Sequence, residues 1–407
     1  MIERIGVVGG GPAGIIAAGY AGANGKDVVL IEKNNKLGKK LYITGKGRCN
    51  ITNGVSIENF FDNIVNNSSF LYSSLYSFTN EDIISLLKDY GLETKIERGN
   101  RVFPISDKSS DVIKALEKFL IDKNVNIILN TNVIDIHYEN NKFIVEVEKG
   151  VRMEFDKIIL ATGGISYPAT GSTGDGYKFA KKFGHKVEKL NPALVPMEIE
   201  NEWIRDLQGL SLKNVELISY RGEKEIYREF GEMLFTHYGI SGPIVLTTSS
   251  FINKYNTEGI RFSLDLKPSL SREKLDKRIL RDFELYKNKQ ISNGLFDLLP
   301  QKIIPVIIKE SFINEKTIIN QITKAERNRL VDNIKGLNLK YKGLRPIKEA
   351  VVTSGGILID EIEPSTMESK LIPGLFFAGE IIDVDGLTGG FNLQIAYSTG
   401  YLSGNNV

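Results

Sequence analysis

The chain has 407 residues, of which 42% are hydrophobic and 25% charged. That length exceeds one ordinary domain and suffices for two or three, and the composition is that of a globular protein and not of a disordered or fibrous one. The single cysteine excludes an intrachain disulfide framework, and one Cys with three His (His137, His185 and His237) does not make a zinc pattern, so no metal is expected.

Residues 5–23 run for nineteen positions without a charge but carry seven glycines and a proline. A buried strand, a glycine turn and a packed helix explain this stretch better than a membrane span. Without another candidate span or a signal peptide pattern, the expected location is the cytoplasm, with no membrane partner.

Ile5 to Val8 reads as a buried strand, Ile15 to Gly22 as the following helix, and Asp27 to Ile31 as a second strand ending in Glu32. Two apolar β-branched runs separated by a helix indicate a parallel βαβ unit. Helices are expected at Asn80 to Tyr90, capped by Asn80 or Thr79, and at Asp111 to Lys123. The period then changes. Short strands from Asn126, Val133, Phe143 and Val151, joined by tight turns such as Glu139-Asn140-Asn141, predict a β-meander that returns to Lys157–Leu160 and the glycines after it.

From about Asn191 the texture is β-rich, with strands expected at Ala193 to Ile199, Leu212 to Ser219, Lys224 to Phe230 and Arg261 to Leu266. From Leu270 to Gly336 it is helical and basic, and a returning strand is expected at Leu337 to Tyr341. The α/β texture resumes at Pro346, with a buried strand in 374–379 and a last helix over Gln394 to Leu402. The expected division is 1–190 with 344–407 as a dinucleotide-binding domain, 191–268 with 337–343 as a β-rich insertion, and 269–336 as a basic helical insertion.

Gly9-Gly10-Gly11-Pro12-Ala13-Gly14 holds the spacing Gly9-x-Gly11-x-x-Gly14 between a strand and a helix, with Glu32 eighteen residues further on. Glycines let the backbone approach a pyrophosphate, the helix N-terminus supplies N–H groups, and the acid holds ribose hydroxyls. Pro12 and Ala13 belong to the same cradle. Cys49 stands between Arg48 and Asn50, near Lys46. Cationic neighbours favour a thiolate, so Cys49 is a candidate reactive group; the alternative is a small packing residue beside an anion-binding Arg.

Ala161-Thr162-Gly163-Gly164 after the meander, and Phe377-Ala378-Gly379-Glu380 near the C-terminus, give two further strand–glycine elements. This spread resembles the two-dinucleotide-binding-domain flavoproteins of the glutathione reductase type. The combination of residues 41–53 (Leu-Tyr-Ile-Thr-Gly-Lys-Gly-Arg-Cys-Asn-Ile-Thr-Asn), 161–176, 234–243 and 374–394 is similar to the BaiN/YhiN-like flavoproteins, also called the aminoacetone oxidase family. The resemblance covers essentially the whole chain. It departs locally at Gly45-Lys46-Gly47, where the family often has a run of glycines; Lys46 adds charge near the expected flavin ring.

The resemblance implies an α/β fold: a Rossmann-like FAD-binding domain with an inserted β-barrel-like domain and a helical insertion. It implies FAD as cofactor and NAD(P)H as a transient reductant without a Rossmann domain of its own. Expected cofactor contacts are Gly9, Gly11, Pro12, Ala13, Gly14, Glu32, Lys33, Lys40, Arg48, Asn50, Val133, Ala161, Thr162, Gly163, Gly379, Glu380, Asp385, Gly390, Phe391, Asn392 and Leu393. The candidate proton donors are Cys49 first and His237 second. The expected reaction is NAD(P)H-driven reduction of a conjugated C=C bond. Alternatives are an amine or aminoacetone oxidase, an enone or steroid reductase, and a non-enzymatic RNA-binding flavoprotein. Residues 267–342 hold 17 Lys+Arg against 9 Asp+Glu, an excess of +8 in a chain of net charge +2. That surface suits a polyanion, so a uridine of large-subunit ribosomal RNA is the favoured substrate and ribosomal RNA the expected partner.

Overall fold

The computed structural model describes residues 2–407, which form two compact units, 2–193 with 347–407 and 194–346.

The first unit is built on a five-stranded parallel sheet. Its spatial order is Leu375–Phe377, Lys157–Leu160, Arg4–Val8, Asp27–Ile31, Asn126–Ile128. In chain order this is 5-4-1-2-3, the doubly wound order in which ligands bind at the carboxyl ends of the strands. All but the edge strand Asn126–Ile128 are buried beyond their first residues, which is why they read as continuous apolar runs. Val133–Glu139, Lys142–Val147 and Arg152–Phe155 form the antiparallel meander. Its first turn is tight because Asn140 and Asn141 both take positive φ, 52° and 60°.

Helix Pro12–Ala23 and the final helix Phe391–Asn406 meet through small residues. A Cβ added at Gly400 would lie 2.4 Å from the Ala13 carbonyl oxygen, and one at Gly404 2.3 Å from that of Ala17. Backbones this close leave no room for side chains, so the last helix carries no apolar stripe yet is buried nearly all round. It is longer than the sequence pattern predicts, because glycine and serine positions hid its ends. Helix Asn80–Asp89 is capped by Thr79 in a reciprocal box with Asp82.

Three small elements had no clear sequence pattern. Thr52–Asn53, Arg101–Pro104 and Thr94–Glu97 form one sheet, Ile64–Asn66 pairs with Asp385–Gly386, and Asn191–Ala193 pairs with Val352–Ser354. The strand expected over Ala193 to Ile199 is broken: Leu194 turns to φ 52°, and Met197–Ile199 resumes in the second unit.

The second unit carries a seven-stranded antiparallel sheet, ordered 337–339, 260–265, 211–221, 224–235, 239–241, 197–199, 341–344. Its two edge strands are separated in sequence only by Lys340, so the sheet curls back on itself, and Tyr341 packs edge-on to Phe262 at 5.2 Å. The helical segment expected as a separate insertion shares one core with this sheet: Leu275, Ile279, Ile307 and Leu330 pack in the same cluster as Leu217, Phe262 and Leu264. Removing each of these side chains from water stabilises the unit by about 1.5–3 kcal/mol.

Among the described residues, no helix is long and apolar enough to cross a membrane, and no cluster of three or more His, Cys, Asp or Glu could hold a metal ion.

Candidate active site

The glycine turn is shaped by backbone contacts. Gly9 has φ +107°, and a Cβ there would lie 2.5 Å from the Ala161 carbonyl oxygen. A Cβ at Gly14 would lie 1.9 Å from the Gly9 oxygen. Gly11 differs, because a Cβ there would meet nothing within 4 Å. Open space thus faces the N-terminus of helix Pro12–Ala23, where Pro12 occupies the first turn and no acidic residue opposes an anion.

Glu32, 7% exposed, is fixed beside this turn. Its Oε2 accepts from the Gly10 N–H at 2.7 Å, and its Oε1 from the Asn34 N–H and Nδ2 at 2.7 and 2.6 Å. A carboxylate oxygen can accept more than one hydrogen bond, so capacity remains for ribose hydroxyls. The backbone of Thr131 bonds to Glu32 O at 3.0 Å, which brings the start of the meander and Val133 alongside. Lys33 does not stand free for a phosphate: its ammonium lies 2.9 Å from Asp175 Oδ2 and 2.5 Å from Thr173 Oγ1. A cavity of about 560 Å³ opens here, lined by Lys33, Asn34, Asn130, Asn132, Pro168 and Asp175 among others.

A second cluster ties distant segments together. Lys40 Nζ lies 2.6 Å from Glu380 Oε2 and 2.6 Å from Ser166 Oγ. Glu380 Oε1 accepts from Ser166 Oγ at 2.9 Å and from the Thr353 N–H at 2.8 Å. Burial pushes the Glu380 carboxyl up, but Lys40 and these donors outweigh it and hold it below the usual range. Lys40 and Glu380, both expected as cofactor contacts, pair with each other. Ser166 and Thr353 were not foreseen; Ser166 lies in a quoted motif, whereas Thr353 carries no sequence signal.

The loop from Thr44 to Asn53 is strained. Gly45, Lys46 and Gly47 take φ of 56°, 58° and 84°, and Cys49 takes 60°. This corrects the reading of Arg48 and Cys49. Arg48 turns away to Glu97 at 2.5 Å and Asp107 at 2.6 Å, and stacks over Phe103 at 4.1 Å. Cys49 is fully buried in the core cluster with Ile51 and Val102. Burial pushes its thiol up to about 12, and a contact with Thr44 offsets this only in part. No cation promotes a thiolate, so the residue is protonated at neutral pH, in the manner of a small apolar side chain.

Beyond Cys49 the segment is stitched to the last helix. Asn53 Nδ2 donates to Gly389 O at 3.0 Å, and Thr52 Oγ1 to Gln394 Oε1 at 2.8 Å. A Cβ at Gly390, φ +104°, would lie 2.4 Å from the Thr52 carbonyl. Phe391 is buried against Phe60 at 4.7 Å, and Leu393 packs partly buried on the core. The Asn392 side chain holds its own loop, accepting from the Gly386 N–H at 2.9 Å and donating to Gly386 O at 2.7 Å. Asp385 accepts from Asn66 Nδ2 and is fully buried. The Gly379 N–H donates to Thr399 Oγ1 at 2.9 Å.

The residues present fit a flavin dinucleotide. Gly11 fronts open space, Glu32 is oriented beside it, and Gly163 and Gly379 hold the left-handed turns of two strand ends. Asn50 Oδ1 and Thr162 Oγ1, in two expected contact segments, are buried without a hydrogen-bond partner, which is costly unless a ligand supplies one.

His237 belongs to the second unit, exposed on the turn between strands Lys224–Phe235 and Gly239–Ser241. Its ring meets Tyr238 edge-on at 4.9 Å, and the turn is closed by the Thr236 N–H donating to Gly239 O at 2.8 Å.

The family model for the HI0933-like protein Rossmann domain matches residues 3–406. The chain is 30% identical to a 3-dehydro-bile acid Δ(4,6)-reductase of Clostridium scindens, over 99% of this chain and 98% of that protein. It is 29% identical to a ribosomal RNA dihydrouridine synthase of Escherichia coli, over 97% and 95%. It is 31% identical to a ribosomal RNA dihydrouridine synthase of Haemophilus influenzae, over 97% and 96%. Among solved structures, the fold is similar to a 3-ketosteroid Δ1-dehydrogenase of Sterolibacterium denitrificans, with TM-score 0.53 and 12% identity over 99% of both chains. It is also similar to a flavocytochrome c3 fumarate reductase, with TM-score 0.50 and 17% identity over 100% of this chain and 78% of that one. The Rossmann-like FAD-binding fold and the full-length match agree: the chain belongs to the HI0933-like family of FAD-dependent oxidoreductases.

Proposed function

We propose that this FAD-dependent oxidoreductase is an NAD(P)H-driven reductase of a conjugated C=C bond, and that its substrate is a uridine of large-subunit ribosomal RNA. The reaction class rests on one observation: relatives matching nearly the whole chain, at similar identity, are named for saturating conjugated bonds, in a bile acid or in uridine. The C5=C6 bond of uridine is conjugated to a carbonyl, as the double bonds of a dienone are. Saturation adds one hydride and one proton across it. Bound FAD would supply the hydride, and NAD(P)H would restore it.

The chain's own residues then have separable tasks. Gly9 to Gly14 and Glu32 hold the pyrophosphate and ribose, while Lys40 and Glu380 fix the late strand against the 161–166 loop. The loop from Thr44 to Asn53 and the last helix form one stitched wall. Cys49 is protonated and sealed in the core and is set aside as proton donor; His237, exposed on its turn, stays as the other candidate.

The choice of RNA rests on two relatives of that name. Flavin-loaded protein is mixed anaerobically with NAD(P)H and either a ribosomal RNA transcript or a conjugated steroid ketone. The proposal expects RNA-dependent NAD(P)H oxidation and a dihydrouridine in the digested RNA. Oxidation with the steroid alone would support the second reading, which the Clostridium scindens relative favours.

A further inference from the structure

The excess of positive charge in 267–342 is the obvious polyanion surface, yet its cations are interleaved with acids, and seven of the seventeen form ion pairs, Lys287 with Glu284 among them. Arg278 and Arg281 pair with Asp282, Arg272 with Asp332, and Arg327 with Asp276. Lys335 pairs with Asp265 and Lys342 with Glu198.

The segment 33–48 presents a different picture. It holds six cations (Lys33, Lys36, Lys39, Lys40, Lys46 and Arg48) and no acid. Lys33, Lys40 and Arg48 are occupied by Asp175, Glu380 and the Glu97–Asp107 pair. Lys36 and Lys46 are exposed, and among the described residues neither forms an ion pair. Two apolar side chains stand out between them, Tyr42 at 41% and Ile43 at 45% exposure. They face outward because the short helix Lys39–Ile43 buries Leu41 instead. Lys36 Nζ sits 4.1 Å over the Tyr42 ring. Ser109 Oγ donates to Tyr42 O at 2.8 Å, which sets exposed Lys108, also without an ion pair, beside the same strip. The nearby acids are already committed: Asp107 to Arg48 and Lys95, Asp111 to Lys114.

Uncommitted cations around an outward aromatic ring make a surface that neutralises phosphates and stacks an unpaired base. The strained loop that carries Lys46 leads directly into Asn50, one of the buried orphans of the cofactor site. We propose that the strip formed by Lys36, Tyr42, Ile43, Lys46 and Lys108 docks a single-stranded segment of the RNA substrate, its backbone on the lysines and one base on Tyr42. This rests on the RNA reading of the function.

The test uses the full-length, flavin-loaded protein and a single-stranded fragment of large-subunit ribosomal RNA, with affinity measured by fluorescence anisotropy over a range of salt. For Lys36→Glu/Lys46→Glu/Lys108→Glu, affinity should fall by about tenfold or more and the log–log salt slope should shrink by about 2, at roughly 0.7 per phosphate contact. Tyr42→Ala should weaken binding about tenfold without changing the slope. Bound-flavin absorbance checks that each variant keeps its site. Unchanged affinity and slope in the triple variant, with loss in Lys274→Glu/Lys277→Glu, would overturn the strip and leave the RNA reading standing. Absence of RNA binding by the wild-type protein would overturn both.

Discussion

Lys40 Nζ lies 2.6 Å from Glu380 Oε2, joining the residues after the second strand to the end of the last one across 340 positions of sequence. Both side chains are about one-fifth exposed, so each would leave a poorly solvated charge if its partner were lost.

Lys40→Met should therefore destabilise the protein by about 2–3 kcal/mol, toward the lower end of what breaking a buried pair costs, and should weaken flavin retention. The pH dependence follows from the lowered Glu380 value. Its contribution is complete above the ordinary glutamate range, about 4.3, and is lost as pH falls through the depressed folded value. Without Lys40, burial raises that value instead. Urea unfolding at pH 7 and pH 4 checks this: the gap between wild type and variant should narrow on acidification.

Gly11 and Gly14 should respond differently to the same methyl group. Gly11→Ala has space and an ordinary φ of −79°, so the flavin-free protein should keep its melting temperature while FAD affinity falls by about tenfold or more, as a methyl intrudes on the phosphate space. Gly14→Ala collides with the Gly9 carbonyl and should cost stability as well as flavin. Thermal melts with and without FAD distinguish the two.

Cys49 should behave as a core residue. With its thiol pushed up to about 12 and fully buried, alkylation by iodoacetamide in the native protein should be far slower than after unfolding. Cys49→Ala should cost about 1 kcal/mol and leave turnover within about fivefold; a fall of about 100-fold in His237→Ala would mark that residue as the proton donor, and unchanged turnover would remove it.

Gly400→Ala tests the helix pair. The added Cβ would meet the Ala13 backbone at 2.4 Å, and the helices must separate, at about 1–3 kcal/mol. Because Ala13 belongs to the glycine turn, flavin affinity should fall with stability, as read by differential melting.

The parts legible in the sequence are those whose constraint is local. The spacing of Gly9, Gly11 and Gly14, and Glu32 at a strand end, follow from the backbone conformation of one contiguous βαβ unit. Arg48 and Cys49 were misread because adjacency in sequence is not adjacency of side chains. Positive φ at Lys46, Gly47 and Cys49 sends neighbours in different directions, and the partners that capture Arg48 lie 49 and 59 residues away. A charge count is blind for a similar reason: it cannot register that Glu198 and Asp265, outside the basic segment, pair with Lys342 and Lys335. Ser166 and Thr353 escaped notice because their role exists only once Glu380 arrives from a remote strand.

The central claim is reduction of a ribosomal uridine, and nucleoside mass spectrometry of ribosomal RNA from cells with and without this gene tests it most directly. The account predicts that deletion removes a dihydrouridine from the large-subunit RNA, and that the wild-type chain restores it while Gly11→Ala does not. Unchanged dihydrouridine on deletion would contradict the account and turn the search to small conjugated ketones.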